Sequence, residues 1–109
     1  MIDPDGRTVD EPLPKEAERV MSRESAAKVG TMMKSVVREG SGTAAALQGV
    51  ELAGKTGTAE INIEQRINDL WFIGFTGKVA VAVIIEREQG QGGTVAAPIA
   101  KRVLQALGQ

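Results

Sequence analysis

The 109-residue sequence contains neither cysteine nor histidine. Without cysteine there is no disulfide framework and no thiol nucleophile. Without histidine the chain lacks the commonest general base near neutral pH and the commonest metal ligand. Any catalysis therefore runs through Ser, Thr, Lys, Asp or Glu, and no cofactor is implied. Aromatic residues are scarce, at 3%, so the core is built from Val, Ile, Leu, Met and Ala. A chain this short buries only a modest share of its surface. No apolar run approaches the roughly 18 residues needed to span a bilayer. The opening Met1-Ile2-Asp3-Pro4-Asp5-Gly6 has no basic and no apolar region of the kind a signal peptide carries. A formal net charge of −1 gives no reason to expect nucleic acid or an anionic membrane as a partner.

What is present has the balance of a soluble globular domain, with 42% hydrophobic and 25% charged residues. The length suits one domain or part of one. Residues 1–21 are polar, hold three of the four prolines and show no sustained period. Pro4-Asp5-Gly6 is a turn signal, Arg7-Thr8-Val9 a short strand leaving it, and Glu11 to Pro14 an extended stretch. The start thus reads as a hairpin remnant, which suggests a fragment.

Residues 22–49 read as helical. Ser22 is placed to cap a helix over 23–39, with Glu24 in its first turn and Gly40 as the C′ stop. Ala26, Val29, Met33, Val36 and Val37 form its apolar stripe, and the Met32-Met33 pair reads as packing. A short turn follows over Thr43 to Leu47. Residues 50–86 read as an antiparallel sheet of three strands: Val50 to Glu60, Leu70 to Phe75 and Val79 to Ile85. The last is almost continuously apolar, which predicts burial of both faces. A polar loop over Ile61 to Asp69 joins the first two strands, and a tight Thr76-Gly77-Lys78 turn joins the second pair. After a flexible Gly90-Gln91-Gly92-Gly93 link, a helix spans 94–108, with its periodic core from Val95 to Leu107 and Pro98 in its first turn. The expected class is α+β: a three-stranded antiparallel sheet packed with helices. No internal repeat is visible.

One segment has mechanical content: Lys55-Thr56-Gly57-Thr58-Ala59-Glu60. Lys55 and Thr56 point to opposite faces of a regular strand. A site that needs both on one side requires a twist or bulge, which Gly57 would supply while letting a ligand approach. A lysine beside a hydroxyl suits a carboxylate, and a free N–H just beyond suits an oxyanion. The string AGKTGTAE, followed by WFIGF, preceded by VVREGSGTAAALQGV and closed by AAPIAKRVLQAL, resembles the class B penicillin-binding proteins. The likeness runs from Ser22 to Leu107 and looks closest to an actinobacterial-type transpeptidase.

The resemblance implies the C-terminal portion of a penicillin-binding transpeptidase (serine β-lactamase-like) fold. It implies a serine D,D-transpeptidase that cross-links peptidoglycan stem peptides, is acylated by β-lactams, and works outside the cytoplasmic membrane through an N-terminal anchor. It further implies that Lys55 biases the field, Thr56 bonds a substrate or β-lactam carboxylate, Gly57 gives access and the Thr58 N–H completes an oxyanion hole. In the family the nucleophile, in an S-x-x-K element, and an S-x-N element lie well upstream of this strand. The literal Ser25-Ala26-Ala27-Lys28 aligns with the helix before the strand and reads as a chance match. Ser41-Gly42-Thr43 is no S-x-N element, and neither Asn62 nor Asn68 stands in such a frame. Glu60, Glu64 and Asp69 read as solvated charges, and Trp71 as a core or cleft-wall residue. The expectation is thus a chain without a catalytic residue, inactive alone. Such a chain self-associates, serves as a binding module, or awaits a separate N-terminal segment.

Overall fold

The computed structural model describes residues 4–7 and 17–109. Pro4 to Gly6 form a turn, with Gly6 at φ +79°. Of the strand expected over Arg7-Thr8-Val9, Arg7 is irregular, and Thr8-Val9 and the Glu11 to Pro14 stretch lie outside the described residues. Helix α1 spans Arg23–Glu39 and a single 3-10 turn spans Thr43–Ala45. Strands β1 (Ala53–Asn62), β2 (Ile67–Phe75) and β3 (Ala80–Glu88) follow, and helix α2 spans Gly92–Ala106. The strands pair antiparallel in the order β1-β2-β3, so both β1 and β3 are edges among the described residues.

Local chemistry accounts for the boundaries. The Ser22 hydroxyl accepts from the Ser25 N–H at 3.1 Å, filling one of the orphan donors of the α1 start. Gly40 ends α1 with extended backbone at φ −114°, its N–H still donating to the Val36 carbonyl. The polar loop between β1 and β2 is shorter than the sequence suggested, because Asn62 Oδ1 accepts from the Gln65 N–H at 3.0 Å and folds residues 63–66 into a turn. The Thr76 hydroxyl oxygen accepts from the N–H groups of Lys78 and Val79 at 3.1 and 3.2 Å, which closes the β2–β3 hairpin. Helix α2 begins three residues before its periodic core, so Pro98 sits in the second turn, not the first. The supposed Gly92-Gly93 link is its first turn.

Alternation along the strands separates two faces. Leu70 and Phe72 are fully buried, and Ala96, Ala97, Ala100 and Leu104 of α2 pack over that side with Leu52, Ala45 and Val37. The alanine stripe lets the helix approach closely, and each large apolar side chain buried there contributes about 1.5–3 kcal/mol. The other side contradicts the reading of β3 as buried on both faces. Its residues alternate, and Ile84 is 59% exposed. The α1 stripe is also only partly used: Val37 is buried, whereas Val29 is 41% and Met32 60% exposed. Periodicity shows which side of a helix is apolar, not whether a partner reaches along its whole length.

Candidate functional site

The Lys55–Thr58 segment lies in the middle of edge strand β1. Its register against β2 is unbroken from Ala53 opposite Phe75 to Glu60 opposite Asn68; the bulge comes later, between Glu60 and Asn62. The bulge that would bring Lys55 and Thr56 to one side is therefore absent at Gly57. Lys55 and Gly57 share one face, and Thr56 and Thr58 share the other.

On the first face Lys55 is exposed. Its ammonium donates to the Thr56 carbonyl and stands 5.9 Å from the centre of the Trp71 ring, within cation–π range. Trp71 is the cross-strand partner of Gly57, and its indole occupies the space a Gly57 side chain would fill. The glycine thus admits the indole on that face, where open access for a ligand had been expected.

On the second face Thr56 is 8% exposed, the one buried polar side chain among the described residues. Its hydroxyl is satisfied by the Ser41 hydroxyl at 2.7 Å, across 15 residues of sequence. Two residues further on, the Thr58 hydroxyl oxygen accepts from the Gly92 N–H at 3.1 Å. Gly92 opens α2, so this donor belongs to the positive end of a helix dipole. A Cβ on Gly92 would strike the carbonyl oxygens of Gly57 and Trp71, which is why the helix start can press onto the strand. An open cleft of about 570 Å³ is lined by Glu60, Ile63, Arg66, Asn68, Gln89, Gly90 and Gln91; Lys55 to Thr58 do not line it. The face thus places two threonine hydroxyls in line, one against the Ser41 loop and one against the start of α2.

The other sequence candidates lie elsewhere. Ser25 bonds the Ser22 hydroxyl at 3.0 Å, and Lys28 pairs with Glu24 at 3.1 Å. Glu60 and Glu64 are exposed, and Asp69 accepts from the Arg87 N–H at 3.0 Å, tying β2 to β3. Sequence reasoning missed Ser41 and Gly92. Neither shares a local pattern with the strand, and only tertiary packing brings them to it.

A sheet with such an edge strand, backed by a C-terminal helix that starts beside it, belongs to a known class. The family model of the penicillin-binding protein transpeptidase domain matches residues 3–105. The chain is a member of that family. It is 35% identical, over an alignment of 115 positions, to the peptidoglycan D,D-transpeptidase PbpA of Mycolicibacterium smegmatis, covering 94% of this chain and 23% of that protein. It is 36% identical over 84 positions to penicillin-binding protein 1F of Bacillus subtilis, covering 76% of this chain and 12% of the relative. Among solved structures, the ceftriaxone acyl-enzyme of penicillin-binding protein A from M. tuberculosis superposes with a TM-score of 0.74 at 32% identity. That match covers 99% of this chain and 26% of the other. The chain therefore corresponds to about a quarter or less of the length of these relatives.

Proposed function

We propose that the chain supplies the Lys-Thr-Gly wall of a peptidoglycan D,D-transpeptidase site and that the attacking serine belongs to a segment outside it. In this reading Thr56 and Thr58 hold the carboxylate of a stem peptide or β-lactam, and Lys55 adds positive charge. The Thr58 N–H, on an edge strand where alternate N–H groups are not used by the sheet, serves the oxyanion. The observation that carries the reading is the pair of hydroxyls two residues apart on one face of an edge strand, one of them backed by a helix N-terminus. Work outside the cytoplasmic membrane, through an anchor elsewhere, is part of the proposal. Among the described residues no helix is long and apolar enough to cross a membrane.

Two measurements on the full chain test this. An N-acyl-D-alanyl-D-alanine should shift the amide resonances of Lys55 to Thr58; shifts confined to other residues would remove the site. A fluorescent penicillin should leave no covalent adduct by intact mass. An adduct that disappears in Ser25→Ala would return the nucleophile to this chain.

The exposed apolar face formed by Ile73, Phe75 and Ile84 favours a second reading. There the isolated chain self-associates or receives a complementary segment over that face.

A further inference from the structure

The Ser41–Thr56 contact is a hydroxyl pair at 2.7 Å in which either oxygen could be the donor. We propose that Ser41 is a positioning residue that, by itself donating to the buried Thr56 oxygen, leaves the Thr56 proton for an incoming carboxylate. The proposal rests on the reading of Thr56 and Thr58 as carboxylate ligands and adds a residue outside the strand that sets their polarity.

The argument begins with proton counting. A hydroxyl has one proton to donate and two lone pairs, and a carboxylate only accepts. If Thr56 gave its proton to Ser41, it would meet a carboxylate with lone pairs alone. If Ser41 donates, the Thr56 proton is free for the anion. Thr58 shows the same arrangement without ambiguity. Its oxygen accepts from the Gly92 N–H at 3.1 Å, and a backbone amide can only donate, so the Thr58 proton is left for another acceptor. Two hydroxyls on one face of β1 are then each filled from behind by a fixed donor.

Ser41 is held for this task from two sides. The N–H groups of Gly40 and Gly42 both donate to the Val36 carbonyl, at 3.1 and 3.0 Å, tying the loop to the end of α1. The Ser41 carbonyl occupies the space that a Cβ on Gly93 would need, so the loop seats directly on the first turn of α2. Thr56, by contrast, is buried, and among the described residues its hydroxyl has no side-chain partner besides Ser41. Its orientation is therefore set by Ser41.

The test uses the full chain and two probes, N-acyl-D-alanyl-D-alanine and its C-terminal carboxamide. Affinities are followed by NMR titration, and the Thr56 side-chain rotamer is read from three-bond couplings to its methyl group. The wild-type chain should prefer the acid and hold Thr56 in one rotamer, and Thr56→Val should erase the preference. Ser41→Ala should lower affinity for the acid about tenfold, the effect of losing one hydrogen bond to a charged acceptor. It should leave the carboxamide affinity unchanged and let the Thr56 rotamer average. Ser41→Thr, which keeps the hydroxyl, should restore both. If Thr56→Val erases the preference while Ser41→Ala leaves preference and rotamer intact, the positioning role is wrong and the carboxylate site stands. If the wild-type chain makes no distinction between acid and amide, the carboxylate site fails and this inference fails with it.

Discussion

The two faces of the same three strands are built from similar residues and have opposite fates. On one, Leu70 and Phe72 are fully buried beneath the alanine stripe of α2. On the other, Ile73 is 43%, Phe75 42% and Ile84 59% exposed. The covered face also holds Thr56 and Thr58, so the elements that make the core place the hydroxyls as well. Gly92 and Gly93 press α2 against β1 and against the Ser41 loop respectively. Core packing and site geometry are thus one structure on that side. The exposed face carries Lys55 and Trp71, and among the described residues no helix closes over Ile84.

The largest effect should come from hollowing the covered face. Phe72→Ala removes the largest fully buried side chain and should cost about 3–5 kcal/mol. That is a large share of the roughly 5–15 kcal/mol that stabilises a typical domain. Urea unfolding followed by Trp71 fluorescence measures it. A cost below about 1 kcal/mol would mean that this side is not the core. Gly92→Ala comes next, at about 1–3 kcal/mol, the usual range for overpacking, because the new methyl meets backbone oxygens that cannot rotate away. The same variant should shift the Thr58 resonances more than those of Ile84, since only the covered face is disturbed.

A comparable strain, but a relievable one, is expected on the exposed face at Gly57. Gly57→Ala drives a methyl into the Trp71 indole, and a side chain can move where a backbone cannot. The cost of about 1–3 kcal/mol should therefore shrink in the Gly57→Ala, Trp71→Ala pair. A double-mutant cycle reads this directly, and contacting residues ordinarily couple by about 0.5–3 kcal/mol. Strict additivity would show that the indole does not rest on Gly57.

The sequence made the element order, the α1 boundaries and the strand carrying Lys55 legible, because caps, periodicity and turn residues are local signals. It made α2 legible from Val95 onward but concealed its first turn. Gly92-Gly93 resembles a linker, and its reason for being glycine is a close approach to Trp71, Gly57 and Ser41, all far away in sequence. The Ser41–Thr56 bond was hidden for the same cause. The orientation of Lys55 and Thr56 was half legible. Alternation put them on opposite faces, and only the pairing register showed that no bulge at Gly57 reunites them. The exposure of β3 was not legible at all, since an apolar run fits a strand covered on both faces as well as one whose second cover is supplied elsewhere.

That uncovered face gives the smallest expected change in folding stability and the sharpest contrast with the core. Ile73 and Ile84 lie on the same side of adjacent strands, flanking Trp71. Replacing both by threonine keeps β-branching, which suits a strand, and removes apolar surface that water already reaches. Stability should change by no more than about 0.5 kcal/mol per site, as for ordinary surface positions. Association should respond more strongly. Contiguous exposed apolar area promotes self-association, and the outer edge of β3, which no other strand pairs among the described residues, lies beside it. Sedimentation velocity on the wild-type chain should show concentration-dependent association that the double variant loses while keeping its unfolding midpoint. A wild-type chain that stays monomeric at all concentrations would show that this face needs no cover, and the contrast between the two faces would then be one of exposure alone.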